Sequence, residues 1–308
     1  MPFPKLTGFS SRRLLLGFVD FQSHMLIARL RAGPIFNPSL TASALNSLKT
    51  SIIKVMRRPF GQHFLFDPRI LKKIIDSSRV TSDDTVIEIG PGHGIMTKLL
   101  AERVKKVIAI EIDKRLTEKL KELPSINKNV EVIIADALKF PYETIKGKFK
   151  VVANIPYYIT TPLLFRLLEF REKIISMTLL LQKEVAQRIA ASPGNKDYGV
   201  LSVSVQLYTK PTLKFLVRKG AFSPPPDVDS AVVHFEVCPQ IPHKLKDEEF
   251  LLKVVKTAFS QRRKTISNSL RSFKNIKEAL IEAGIDSKLR PETLSIEDFL
   301  RLTNALMN

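Results

Sequence analysis

The stretch Thr85-Val-Ile-Glu-Ile-Gly90-Pro-Gly-His-Gly94 constrains this chain more than any other. Its β-branched run reads as a buried parallel strand, and the glycines lead straight into an apolar-periodic segment over 95–104 that reads as a helix. A strand feeding a glycine turn that opens a helix is a nucleotide-type site, because glycine lets a ligand approach the main chain and the helix start presents free amides. Two further β-branched runs each carry an acid at the end: Val107-Ile-Ala-Ile-Glu-Ile112 delivers Glu111, and Val130-Glu-Val-Ile-Ile-Ala-Asp136 delivers Asp136. Glu111 stands about 20 residues after the glycines, where a strand-end carboxylate can accept both hydroxyls of a ribose. Asp136 can take a hydrogen bond from an adenine amino group. Strands alternating with helices predict an α/β fold: a doubly wound, Rossmann-like sheet with its crevice at the strand ends.

The turn spacing narrows the ligand. Gly-x-Gly-x-x-Gly, the dinucleotide pattern, would put its third glycine on Ile95. The chain instead carries Gly-x-Gly-x-Gly with Glu88 two residues ahead, which resembles the first motif of S-adenosylmethionine-dependent methyltransferases. Taken alone, that motif leaves NAD binding and a purely structural turn open.

A fourth run, Val151-Val-Ala-Asn-Ile-Pro-Tyr-Tyr158, ends differently. Pro156 holds its own φ near about −65° and pushes Ile155 into an extended conformation, which aims the Ile155 carbonyl. Asn154 supplies a second acceptor beside it. Two acceptors next to the flat face of Tyr157 suit an exocyclic amine on a nucleobase, with Tyr198 or Phe222 as candidates for the other face of that base. No Ser/His/Asp or paired-carboxylate constellation accompanies them, and His93 in the glycine loop is not needed as a proton carrier.

The partner is legible in the charge. Lys and Arg total 49 against 30 Asp and Glu, a net +19 spread along most of the chain, which points to a polyanion held on a broad surface. No stretch approaches the roughly 20 apolar residues that span a bilayer, so a membrane partner is not expected. One cysteine, Cys238, rules out an internal disulfide and offers no metal cluster.

Several motifs occur in one order: Phe60-Gly-Gln-His-Phe-Leu65, Glu88-Ile-Gly-Pro-Gly-His-Gly94, Asn154-Ile-Pro-Tyr157 with Thr161-Pro-Leu-Leu-Phe165, Pro193-Gly-Asn-Lys-Asp-Tyr-Gly199, Phe222-Ser-Pro-Pro-Pro226 with Val228-Asp-Ser-Ala-Val-Val233, and Ala258-Phe-Ser-Gln-Arg-Arg-Lys-Thr265. From about residue 57 onward the chain thereby resembles the small-subunit ribosomal RNA adenine dimethyltransferases of the KsgA type. The resemblance implies a class I methyltransferase sheet and transfer of methyl groups from S-adenosyl-L-methionine to N6 of two adjacent adenosines near the 3′ end of small-subunit rRNA. It also implies a pre-assembled small subunit as substrate and a monomeric enzyme. By the same carry-over His63, Leu65, Gly90, Gly92, Glu111, Asp136 and Asn154 would hold the cofactor. Asn154, Ile155, Pro156 and Tyr157 would carry catalysis. Tyr158 stands where many relatives have Asn, and Ile155 where Leu is common.

Three regions are expected. Residues 1–55, basic and Ser/Leu-rich, read either as an organelle transit peptide or as a start-site artefact; without an address the protein is expected in the cytoplasm. Residues 56–240 form the methyltransferase domain. Residues 241–308 form a helical domain in which Arg262, Arg263 and Lys264 grip RNA phosphates. Within the middle region, 201–209 is expected to be a strand because Leu201, Val203 and Val205 alternate with polar residues. Asp67-Pro68 and Ser295 are expected to cap helices, and Gly284 to stop one. Two neighbours compete: an antibiotic-resistance methyltransferase acting on large-subunit rRNA, and a non-catalytic organelle transcription factor of the same fold. Thr161-Pro162, Pro224-Pro-Pro226 and Gln261-Arg-Arg-Lys264 favour the small-subunit enzyme over the first. Intact glycines, Glu111, Asp136 and Asn154 argue against the second.

Overall fold

The Ile- and Val-rich runs build a single sheet. In the computed structural model, which describes residues 62–122, 128–239, 245–261 and 263–308, five of them lie parallel. These are β2 (Thr85–Ile89), β3 (Lys106–Glu111), β4 (Val130–Ile134), β5 (Phe149–Asn154) and β6 (Ile174–Gln182). Their spatial order is β4-β3-β2-β5-β6, so the chain winds outward from β2 in one direction and from β5 in the other. The crevice of such a sheet opens between those two strands, where Ile89 pairs with Ala153. An antiparallel pair, β9 (Ser230–Val237) then β7 (Thr209–Val217), closes the far side. Val86, Ile87, Val107, Ala109, Val152 and Ala153 are almost wholly buried, as strands covered on both faces must be.

Residues His63–Asn308 form one compact unit. Helix α1 (Pro68–Ser78) starts where expected: the Asp67 side chain accepts from the Arg69 amide, and Pro68 occupies the first turn, where its missing N–H costs nothing. Leu71, Ile74 and Ile75 turn its apolar stripe into the core, each contributing roughly 1.5–3 kcal/mol of burial. The remaining helices of the sheet region are α2 (Ile95–Ala101), α3 (Lys114–Glu122), α4 (Thr160–Leu168), α5 (Lys183–Ile189) and α6 (Val200–Gln206).

Helix α6 corrects the strand expected over 201–209. Its Leu201, Ser202, Val203, Ser204 and Val205 are all buried, so the alternation reflected no exposed face, and a short run buried on all sides has no period that separates helix from strand. Ser202 decides locally: its hydroxyl accepts from the Gly199 amide and donates to the Arg188 carbonyl, a helix start tied to α5.

The C-terminal helices are α7 (Glu248–Phe259), α8 (Ile266–Ser269), α9 (Ile276–Glu282) and α10 (Ile296–Leu306). Asp247 caps α7, Ser295 and Asp298 form a reciprocal box at α10, and Gly284 follows α9 at φ +66°. They pack on the sheet region through Tyr208, whose hydroxyl donates to Glu248 while Arg171 lies 4.7 Å from its ring centroid. Among the described residues no helix is long and apolar enough to cross a membrane. The leader expected over 1–55, the first residues of the expected methyltransferase domain (56–61) and Arg262 lie outside the described residues.

Candidate functional site

The glycine turn after β2 takes a left-handed path at Gly90, Gly92 and Gly94. At Gly92 two demands meet: φ is +56°, and a Cβ would stand 2.9 Å from Cε1 of Phe64. Only glycine satisfies both. The turn is stitched to β3, since the Gly90 amide donates to the Ile110 carbonyl (3.0 Å) and the Gly92 amide to Glu111 Oε2 (3.3 Å). Glu111 Oε1 accepts from the amides of Ile112 (2.9 Å) and Asp113 (3.0 Å), which leaves acceptor capacity on Oε2. Burial nevertheless holds its carboxyl above the ordinary range. Just past β4, Asp136 Oδ1 accepts from the Leu138 amide at 2.9 Å. The neighbouring rim carries Tyr158, 60% exposed, whose phenol is raised first by burial and then by the charges of Asp136 and Glu111. Tyr158 therefore belongs to the acidic side of the crevice.

A cleft opens beside the glycine turn, lined by Phe64, Leu65, Glu88, Gly90, Gly92 and Asn154 among others; Glu111, Asp136 and Tyr158 are not among its lining residues. None of its lining side chains is Lys or Arg, and Glu88 brings a carboxyl to it. Glu88 is a residue that sequence reasoning noted only as part of a spacing. It is wholly buried, and neither carboxylate oxygen has a hydrogen-bond partner. Burial pushes its carboxyl from 4.5 up to about 8, the neighbouring Thr97 hydroxyl offsets part of this, and the Glu111 charge adds to it. Between those two values the folded protein binds more protons than the unfolded one, so stability falls as pH rises through that window. Glu88→Gln is thus expected to raise the melting temperature of the cofactor-free protein by several degrees at about pH 9 and by almost nothing at about pH 5. Calorimetry showing equal shifts at both would contradict it.

At the end of β5, Asn154 Nδ2 donates to the main-chain carbonyl of His63 at 3.1 Å. Ile155 is buried at 1% exposure and Pro156 sits at φ −55°, so the turn that follows is held by packing and by the proline ring. The Tyr157 hydroxyl and Ser230 Oγ are 2.6 Å apart, which ties the ring to β9, and burial raises its phenol. His63 lies 5.6 Å from Tyr157, centroid to centroid, and its Nδ1 reaches the Pro224 carbonyl at 2.8 Å. Two short strands complete the arrangement: β1 (Phe64–Leu65) pairs antiparallel with β8 (Phe222–Ser223). The N-terminal motif and the proline-rich motif are thus one unit beside Asn154, a pairing that no local signal announces.

The structure departs from expectation at two aromatic residues. Tyr198, 1% exposed, packs edge-on against Phe259 of α7, and Phe222, 4% exposed, joins the core around α1. Neither ring is presented to a target base; both apolar faces are satisfied by neighbours whose sequence distance hid them. The imidazole of His63 likewise meets Tyr157 and Pro224, while Leu65 lines the cleft. Arg263 and Lys264 are exposed. Phe64 and Phe66, at 4.5 and 5.8 Å from the His93 ring, form an aromatic cluster at the cleft mouth that sequence reasoning missed.

Comparison with known proteins adds an independent line. A family model described as Ribosomal RNA adenine dimethylase matches residues 53–308. The chain is 44% identical over 266 residues to Ribosomal RNA small subunit methyltransferase A of Bacillus mycoides (strain KBAB4), spanning 82% of this chain and 91% of that protein. It is 44% identical over 260 residues to the protein of the same name in Caldanaerobacter subterraneus subsp. tengcongensis, spanning 81% and 97%. Among solved structures, a dimethyladenosine transferase from Plasmodium falciparum superposes with a TM-score of 0.66 at 32% identity, covering 78% of this chain and 96% of that one. The 23S rRNA methyltransferase ErmE superposes at 0.65 with 29% identity, covering 80% and 100%.

Proposed function

We propose a mechanism for a chain that belongs to the ribosomal RNA adenine dimethylase family and dimethylates adenine in small-subunit ribosomal RNA. Its targets, in our reading, are N6 of two adjacent adenosines near the 3′ end, two methyls on each, within a partly assembled small subunit that the protein meets as a monomer. That work requires a compartment holding ribosomes: the cytoplasm, or an organelle if residues 1–55 act as an address.

S-Adenosylmethionine fits the cleft. Glu88, buried and unpartnered, lines it, and at the ends of the neighbouring strands Glu111 and Asp136 keep acceptor capacity that suits hydroxyl- and amine-bearing parts, while Gly92 holds a turn in which a Cβ would collide with Phe64. Glu111 would hold the ribose and Asp136 the adenine. When bound, this cofactor supplies an electrophilic methyl on a sulfonium.

The chain's own residues prepare the nucleophile. An adenine amine is weakly nucleophilic because its lone pair is delocalised into the ring, so its hydrogens must be held for the nitrogen to pyramidalise. Asn154 Oδ1 and the Ile155 carbonyl accept those hydrogens, and Tyr157 stacks on the base. After transfer, the proton leaves to water. One observation carries this reading. A carbonyl oxygen can only accept, so the Asn154 end facing His63 must be its NH2, and its oxygen is turned the other way, toward an incoming donor. The excess of 19 positive charges supports binding of folded RNA, with Arg263 and Lys264, and Arg262 beside them in sequence, gripping phosphates.

The test is mass spectrometry of both ribosomal subunits' RNA after incubation with isotopically labelled cofactor. Dimethyladenosine at two neighbouring positions in small-subunit RNA is expected. Label confined to large-subunit RNA would replace this reading with the antibiotic-resistance type, and no label with a non-catalytic role.

A further inference from the structure

We infer that His63 is a positioning residue for methyl transfer, acting through Asn154. The inference rests on the reading of Asn154 given above. A carboxamide is nearly symmetric in shape, and turned over it would present its NH2 to the target amine, donor against donor. The His63 carbonyl removes that alternative, because it accepts from Asn154 Nδ2 at 3.1 Å and would repel an oxygen placed there. The orientation of the catalytic acceptor is therefore set by a main-chain atom 91 residues away in sequence.

That carbonyl is useful only if it stays in place, and the His63 ring anchors it. Nδ1 lies 2.8 Å from the Pro224 carbonyl, and since that oxygen only accepts, Nδ1 carries the hydrogen and donates. The bond extends the ladder in which Phe64 pairs with Ser223 and Leu65 with Phe222. His63 thus clamps the proline-rich strap to the N-terminal segment at the residue whose carbonyl meets Asn154. The ring also tilts against Tyr157, at 31° between planes, and Tyr157 is held by Ser230 at the start of β9. Acceptor and stacking ring are consequently referenced to the same strap.

Two variants test this in the full chain. His63→Leu keeps volume but removes the donor to Pro224; His63→Asn places an amide N–H near the position of Nδ1. Folding is checked by thermal melting, cofactor affinity by calorimetry with S-adenosylmethionine, and chemistry by single-turnover transfer to small-subunit particles at saturating cofactor. His63→Leu is expected to slow transfer by about 10- to 100-fold with cofactor Kd within about twofold, and His63→Asn to recover transfer to within a few-fold of wild type. The inference is overturned if His63→Leu weakens cofactor binding and leaves saturated transfer unaltered, or if the Asn variant is as slow as the Leu variant. Asn154→Ala, run alongside, separates the claims. Transfer near wild type in that variant overturns the reading of Asn154 and this inference with it; a large loss there, with His63→Leu unaffected, overturns the inference alone.

Discussion

Asn154→Ala is expected to lower single-turnover methyl transfer by about 10²–10³-fold while cofactor affinity changes only a few-fold. The size follows from what the amide does at the end of β5. In the proposed mechanism its oxygen accepts a hydrogen bond from the target amine as the nitrogen pyramidalises, an interaction that strengthens in the transition state and so acts on rate more than on binding. Loss of a preorganised hydrogen-bonding group aimed at a reacting centre has that order of effect, about 3–4 kcal/mol. The fold should survive, because the side chain is half-buried and the substitution removes one hydrogen bond, to the His63 carbonyl, worth about 1 kcal/mol. Rapid-quench measurement with labelled cofactor decides it. A rate within about threefold of wild type would mean that the chemistry is organised elsewhere.

Gly92→Ala should act on cofactor binding instead, raising Kd at least tenfold, which corresponds to about 1.4 kcal/mol. The backbone at φ +56° would cost an L-residue about 1–2 kcal/mol. The new methyl would also stand 2.9 Å from Phe64 Cε1, and the ring has little room to yield. It lies 4.5 Å from His93 and belongs to a residue paired with Ser223. Either the loop or β1 must shift, and both line the cleft. Gly147→Ala is the matching control: it has φ +74° but no atom within 4 Å of the added methyl, so it carries the backbone strain without the collision. Its cofactor affinity should stay at the wild-type value. If calorimetry gives the two variants the same Kd, the contact with Phe64 does not shape the site.

Sequence legibility followed the range of the interactions. The strand, glycine-turn and helix succession around Gly90, the acids at the ends of β3 and β4, and the caps at Asp67 and Ser295 were readable because each is decided within a few residues. Residues 201–209 read as a strand in sequence because a wholly buried segment carries no contrast between faces, while the helical form over 200–206 is held by Ser202 bonding back to Arg188. Tyr198 or Phe222 reads as a candidate for the target base because an aromatic in a loop-rich motif advertises stacking; which ring is covered depends on α7 and α1, not on the motif.

The amino-acid order alone determined the nucleotide-type sheet, the carboxylates at its strand ends and the Asn-Ile-Pro-Tyr acceptor turn, since periodicity, glycine spacing and proline geometry are properties of neighbouring residues. Only the folded chain decided which way the Asn154 amide points, that Glu88 is buried without a partner, and that His63 joins Pro224 across 161 residues. Those outcomes depend on hydrogen-bond partners and solvent exclusion supplied by distant segments, and no local pattern encodes which distant carbonyl a given side chain will meet.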